Sequence, residues 1–213
     1  MRVSTQKTKK NRQNDRRAEI IGIAKHLFVE NGFAATSMSS VANAVGLTKA
    51  SLYHHFPGKD DLFAACVTEG LSDELLALRK IAEDSETDPK TRMRAVLEAL
   101  YETFIFSPAG RMSPLIAEVS RSFPTVARAF HDDYMAPQHE ILVQLLDEGV
   151  ASGRFADIER KVYLHMVFGP IVTLSLTREM FATFEDLDQI FPVETLRDGH
   201  IENMLKLIGS SQT

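Results

Sequence analysis

A short run of polar, cationic and aromatic side chains follows the dipeptide Gly46-Leu47. Lysine carries a fixed positive charge, and hydroxyl, phenol and imidazole groups can donate or accept hydrogen bonds. Proteins use these groups to contact phosphates and the edges of bases in the grooves of DNA. The run therefore predicts contact with a nucleic acid through its outward polar residues, Thr48, Lys49, Ser51, Tyr53 and His54.

The hydrophobic pattern around this run predicts three helices that would position it. Apolar residues spaced three and four apart favour a helix over residues 16–31, ended by Asn31-Gly32. Hydroxyl caps followed by apolar residues predict two short helices, over residues 37–45 and 49–56, separated by Gly46. Two short helices joined by a glycine turn, behind a helix that closes their core, form a helix-turn-helix unit. Its second short helix enters the major groove.

The charge distribution supports the same interpretation. Residues 1–59 hold ten Lys or Arg against three Asp or Glu, although the whole chain of 213 residues has a net charge of -5. A basic head on an acidic body indicates that the head faces a polyanion, while a solvated basic tail is the simpler alternative. Residues 1–14 have little apolar content and are predicted to be a disordered basic arm.

The rest of the chain reads as helix, with no convincing strand. The periodicity predicts an all-α protein of about nine helices, with a helix-turn-helix domain over residues 15–62 and a larger bundle over 63–213. The longest mostly apolar stretch, Val162 to Leu176, is shorter than the about 20 residues that cross a bilayer, so no membrane span is expected. A single cysteine and no apparent signal segment predict a cytoplasmic protein.

Residues 36–62, which read TSMSSVANAVGLTKASLYHHFPGKDDL, resemble the N-terminal helix-turn-helix of the TetR/AcrR family of bacterial regulators. The resemblance extends over about residues 16–63, and its most distinctive part is the run LYHHF followed by a lysine. It implies an all-helical homodimer whose N-terminal helices bind a palindromic DNA operator. It also implies that the larger C-terminal bundle binds a small molecule and dimerises.

The resemblance also assigns residues to the DNA. The five outward residues named above, from Thr48 to His54, fall on positions of the family's recognition helix. Lys59 falls on the lysine at the start of the fourth helix, which commonly contacts phosphate. The start of the second helix often contacts phosphate as well, and its hydroxyl side chains here are Thr36, Ser37 and Ser39.

Two sets of residues are expected to act in the C-terminal bundle. The aromatic and methionine content predicts a mostly apolar effector pocket, with candidate lining residues Phe63, Cys66, Tyr101, Phe104, Met112, Phe130, Tyr134 and Met166. The second-to-last predicted helix carries more apolar surface than one core-facing stripe needs, which predicts that it and the last helix pair with a second copy. The candidate interface residues are Val162, Met166, Gly169, Ile171, Ser175, Leu196 and Met204.

These features favour a ligand-responsive transcriptional regulator, expected to be a repressor because no second domain is evident that could recruit a polymerase. The usual hydrolase, metalloprotease and nucleotide-binding signatures are absent, so no enzyme activity, cofactor or metal is predicted. Two other classes stay open. One is a small all-helical enzyme or cofactor-binding protein, and the other is a DNA-architectural protein that responds to no ligand.

Overall fold

A computed structural model describes residues 3–69, 72–107, 110 and 112–209. Its helices are α1 (Val3–Ala35), α2 (Met38–Ala44), α3 (Lys49–His55), α4 (Lys59–Thr68), α5 (Ser72–Ala82), α6 (Pro89–Tyr101), α7 (Met112–Val119), α8 (Pro124–Phe130), α9 (Ala136–Ala151), α10 (Arg160–Met180), α11 (Leu187–Ile190) and α12 (Val193–Ile208). Over these ranges the backbone forms no strand, and one isolated bridge pairs Phe155 with Gly209. The all-α prediction is therefore confirmed.

The predicted and observed helices differ at several points. The sequence predicts one long helix after Pro57-Gly58, where the structure has α4 and α5, and α11 is an additional single turn. Helix α1 already begins at Val3, within the arm predicted to be disordered, because Lys, Arg and Gln are good helix formers that extend an existing helix. At the predicted end, Asn31-Gly32, α1 has a kink, since Gly32 leaves the helical conformation with φ of 78° and a short helical segment continues to Ala35.

The chain forms two compact units. The first contains Met1–Ser72 and Pro114–Tyr134, and the second contains Asp73–Ser113 and Met135–Thr213. This differs from the predicted division near residue 62, because a later segment that includes α8 belongs with the N-terminal helices. Helix α8 packs on α4, and its Val126 is fully buried. Phe123, just before α8, lies 5.4 Å from Phe33 between ring centroids.

The core of the first unit is aromatic. Helices α1 and α4 pack together, and the ring of Phe63 meets those of Phe28 and Phe33 edge-on at 5.0 and 5.1 Å between centroids. All three rings are buried. Edge-to-face contacts between buried rings add to the free energy of burying their area, so this cluster fixes α4 against α1.

The core of the second unit lies among α6, α9, α10 and α12. Arg92 on α6 is buried, and its guanidinium donates to the carbonyl of Ala82 at 2.7 Å and to both carboxylate oxygens of Glu148 on α9. A buried cation needs such a partner. Within the described residues, no helix is both long and apolar enough to span a membrane.

Two π-helical turns interrupt the regular helices. Glu102–Phe106 extends α6, and His131–Met135 joins α8 to α9. Pro137 lies in the first turn of α9. Its missing N–H costs no hydrogen bond there, because the first amides of a helix have no partner within the helix. The sequence predicts a kink at this proline, and the structure has a π-helical turn just before it.

Candidate nucleic-acid interface

The glycine turn sets the angle between α2 and α3. Gly46 has a φ of 66°, in the left-handed region that favours glycine, and its N–H donates to the carbonyl of Asn43 at 3.1 Å. The next amide, of Leu47, donates to the carbonyl of Ala42 at 2.8 Å. These bonds end α2 and turn the chain into α3, as the sequence predicts for a helix-turn-helix unit.

Helix α3 has one buried and one exposed side. Leu52 and Phe56 are buried against the unit, whereas Lys49, Tyr53 and His54 are exposed. The ammonium group of Lys49 lies 6.0 Å from the centroid of the Tyr53 ring, within the range of a weak cation–π contact. Ala50 is also exposed beside them, and the sequence analysis missed it because a methyl group carries no polar signal.

Thr48 and Ser51 cap the start of α3. The amide of Ser51 donates to the Thr48 hydroxyl at 3.1 Å, and the two hydroxyl oxygens lie 2.8 Å apart. Such a cap satisfies an amide that the first turn of a helix leaves unpaired. Both residues therefore have a local structural role, and Thr48 is exposed at the N-terminal end of the helix as well.

The three hydroxyl residues predicted to contact phosphate at the start of α2 have different surroundings. Ser37 and Ser40 form a reciprocal capping box, and Ser39 is exposed. Thr36, by contrast, is 3% exposed, and its hydroxyl lies 3.1 Å from the carbonyl oxygen of Leu27 and 2.9 Å from that of Gly32. The structure thus contradicts an outward side chain for Thr36, because this hydroxyl is occupied at the end of α1.

Lys59 is also turned toward the protein. Its ammonium group donates to the carbonyl of Phe33 at 2.8 Å and lies 4.2 Å from the centroid of the Phe33 ring. A lysine next to the last carbonyls of a helix interacts favourably with the helix dipole. Lys59 therefore stabilises the end of α1, which differs from the phosphate contact that the resemblance implies.

Arg16 and Arg17 hold the other two helices of the unit. Arg16 donates to the carbonyl of Val45 at 2.8 Å, and Arg17 donates to the carbonyl of His55 at 3.1 Å. These carbonyls lie at the C-terminal ends of α2 and α3. Together with Lys59, three of the ten cations in residues 1–59 thus bind helix ends inside the unit, a role that their charge alone did not reveal.

The predicted pocket residues are divided between the two units. Phe63, Cys66, Phe130 and Tyr134 belong to the first unit, and Tyr101, Phe104, Met112 and Met166 belong to the second. Burial raises the pKa of the Cys66 thiol, so it stays protonated. In the second unit, a groove of about 690 Å³ is lined by Tyr101 together with residues of α10 and α12, and Phe104 borders a smaller cavity.

The predicted interface residues all belong to the second unit, where some are exposed and others are buried. Val162 and Met166 on α10 are 57% and 42% exposed, and Leu196 on α12 is 42% exposed. Ile171 and Met204 are buried in the second unit, and Ser175 donates to the carbonyl of Phe104 at 3.0 Å. These three residues are therefore part of the protomer's own structure, which corrects the predicted set.

The same surface contains the titratable residue His200. Its Nδ1 lies 2.9 Å from the Tyr101 hydroxyl, and its Nε2 lies 3.0 Å from the carbonyl oxygen of Met166. Burial raises the pKa of Tyr101 to about 12, so its hydroxyl keeps a proton to donate. Burial lowers the pKa of His200 because it penalises the charged ring, and the hydrogen bond to the carbonyl of Met166 opposes this shift.

We expect His200 to make unfolding pH-dependent. The unfolded chain binds the proton at about pH 6.5, above the folded pKa, so stability should be full above that pH and decrease as the pH falls below it. Urea unfolding at pH 7.5 and 5.5 measures the difference, and His200→Asn should reduce it. An equal difference in wild type and variant would contradict this role.

Comparisons with known proteins identify the family. Residues 20–66 match the model for bacterial regulatory proteins of the tetR family. The HTH-type transcriptional repressor KstR2 of Mycobacterium tuberculosis is 28% identical over 142 residues, which cover 67% of this chain and 70% of KstR2. The HTH-type transcriptional activator FasR of Mycolicibacterium smegmatis is 30% identical over 90 residues, 42% of this chain and 41% of FasR.

A solved structure shows the same fold over most of the chain. The transcriptional regulator FadR of Bacillus subtilis, solved in complex with stearoyl-CoA, superposes with a TM-score of 0.72 at 19% identity, over 89% of this chain and 97% of FadR. The shared fold thus extends beyond the helix-turn-helix into the helices that follow it. Over residues 20–66 the chain is therefore a member of the tetR family of bacterial regulatory proteins.

Proposed function

We propose that this regulator is a ligand-responsive repressor that binds a palindromic operator as a homodimer and is released by a small, largely apolar effector. The observation that carries the proposal is the exposed side of α3, where Lys49, Ala50, Tyr53 and His54 form one continuous outward surface on a short helix. We further propose that it works in the cytoplasm, where the DNA of a bacterium lies.

Helix α3 has the size and chemistry to read a major groove. The groove is about 12 Å wide, which admits one helix with its side chains. Lys49 can bind the acceptors of guanine or a phosphate, and the methyl of Ala50 can contact the methyl of thymine. Ser37, Ser39 and Thr48, at the starts of α2 and α3, are suited to phosphates because helix N-termini attract anions.

A homodimer would present two such helices to one face of the DNA. On α10 the exposed residues Val162, Met166, Thr173 and Met180 recur at helical spacing, and Gly169 leaves open space for a close approach. Leu196 and Leu207 are exposed on α12, which packs beside α10. Pairing of these two helices with their copies would cover the apolar side chains and form a four-helix interface.

The relatives support the proposed effector and the proposed direction of regulation. FadR is described with stearoyl-CoA, a ligand with a long apolar chain, and the groove beside Tyr101 in this chain is lined by Leu174, Phe191 and several polar residues. KstR2, the relative that matches more of this chain, is a repressor, whereas FasR is an activator. A preference of the effector for the DNA-incompetent state, with a coupling of about 1–3 kcal/mol, is enough to release the operator.

Selection of binding sites from random duplex DNA tests the proposal. We expect a palindrome whose half-sites lie about one helical turn, ~34–36 Å, apart. Gel shifts with the selected site and with a scrambled duplex then measure specificity. Binding that does not depend on sequence would instead indicate an architectural protein, and no binding to any duplex would favour the enzyme or cofactor-binding class.

The dimer face can be tested separately. Met166→Glu places a carboxylate at an exposed apolar position of α10, and two-fold symmetry would bring a second carboxylate to the same interface. We expect dimerisation to weaken at least about tenfold, because like charges in an interface cost several kcal/mol. Sedimentation at micromolar concentration measures this. The control is Leu76→Glu, at an exposed position on α5; equal effects of the two substitutions would argue against the α10 interface.

A further inference from the structure

Arg17 joins three elements of the DNA-binding unit with one side chain. Its Nη1 donates to the carbonyl of His55 at the end of α3 at 3.1 Å, and its Cζ lies 4.3 Å from the centroid of the Phe56 ring. Its Nε and Nη2 donate to the two carboxylate oxygens of Glu69 at 2.9 and 2.6 Å. Only the planar fork of an arginine can make all of these contacts together.

The contact between Arg17 and Glu69 lies at the C-terminal end of α4, because Glu69 directly follows the last residue of that helix. Helix α4 runs antiparallel to α1, since Lys59 meets Phe33, Phe63 meets Phe28, Cys66 lies 3.6 Å from the carbonyl of Ile21, and Glu69 meets Arg17. Each end of α4 is therefore attached to α1 by a charged side chain. The contact at the Glu69 end is the one that also includes the recognition helix.

We infer that Arg17 is a positioning residue for α3 and that Glu69 holds its guanidinium in the orientation that this requires. The inference rests on the proposed operator binding. Arg17 and Glu69 are both partly exposed, so their pair contributes little to global stability. Its effect is on the angle of α3, because base contacts need closely defined positions whereas phosphate contacts do not depend on sequence.

The same geometry allows a different role, and the two roles give opposite results. If Arg17 were itself a phosphate contact, Glu69 would compete with the DNA for it, and neutralising Glu69 would strengthen binding to every duplex. If Arg17 positions α3, neutralising Glu69 loosens the helix and weakens operator binding. The sign of the change therefore distinguishes a positioning residue from a phosphate contact.

Glu69→Gln in the full-length protein tests the inference, with Asp73→Asn as a control that removes one negative charge from an exposed residue nearby in sequence. Fluorescence anisotropy measures the Kd for the selected operator and for a scrambled duplex at several salt concentrations. We expect Glu69→Gln to weaken operator binding about three- to thirtyfold, which lies within the range of coupling between residues in contact. The Kd for scrambled DNA, the salt dependence and the Tm should match those of Asp73→Asn.

A second variant keeps the test independent of Glu69. Arg17→Lys retains the charge and loses the fork, so it should lose operator specificity to a similar extent, and the double variant should be no weaker than Arg17→Lys alone. Three results would overturn the inference: unchanged operator binding, tighter binding to both duplexes, or an equal loss on both duplexes with a lower Tm. Failure of the wild-type protein to prefer any duplex would instead overturn the proposed function.

Discussion

Truncation of Phe63 to alanine should lower the free energy of unfolding by about 3–5 kcal/mol, the usual cost of removing a large ring from a packed core. Phe63 is fully buried between Phe28 and Phe33, so the lost ring leaves a cavity that the rigid helices α1 and α4 cannot close. Chemical denaturation of the purified protein measures the change.

The control for this substitution is Phe106→Ala. Phe106 is 58% exposed, so its truncation should change the unfolding free energy by less than about 1 kcal/mol. The comparison also separates two roles for Phe63, which the sequence predicts to line an effector pocket. A small loss of stability for Phe63→Ala would contradict the core role and favour the predicted role of this residue in lining an effector pocket.

Replacement of Lys49 by alanine should weaken operator binding by about 1–3 kcal/mol if the ammonium group binds a base. Lys49 lies in the first turn of α3, on its exposed side, where its ammonium group contacts the Tyr53 ring. Kd values for the operator and for duplexes substituted at single positions measure the loss and show which position becomes less selective.

The salt dependence of the Lys49 variant distinguishes base from phosphate contact. A phosphate contact would weaken binding to all duplexes alike and reduce the slope of log K against log salt by about one. The control is Lys80→Ala, which removes the same charge from an exposed position on α5. If Lys49→Ala binds the operator like Lys80→Ala, Lys49 does not contact the DNA.

The cations of the DNA-binding unit show why composition alone gives an incomplete account of binding. The sequence predicts that the excess of cations in residues 1–59 faces a polyanion. In the structure, Arg16, Arg17 and Lys59 bind the last carbonyls of α2, α3 and α1 instead. A count of charges cannot separate these cases, because the acceptor carbonyls are present in every sequence and their positions depend on the fold.

Local patterns determined the helices and the turn of the DNA-binding unit. Gly46, the serine and threonine caps and the buried positions Leu52 and Phe56 act within a few residues of chain, so their spacing is sufficient to predict them. The outward side of α3 followed from the same spacing, apart from Ala50. Val162, Met166 and Leu196 are exposed, whereas Ile171 and Met204 of the same predicted interface are buried, so that interface stays a prediction.

Contacts between distant segments were decided only by the tertiary structure. The assignment of α8 to the first unit, the burial of Thr36, Ile171 and Met204, and the contact of Arg17 with Glu69 all join residues that no local pattern relates. The sequence by itself determined which residues form helices and which side of each is apolar, since both depend on neighbours within one or two turns. Which apolar side meets which helix depends on how complementary surfaces pack, and that is a property of the folded chain.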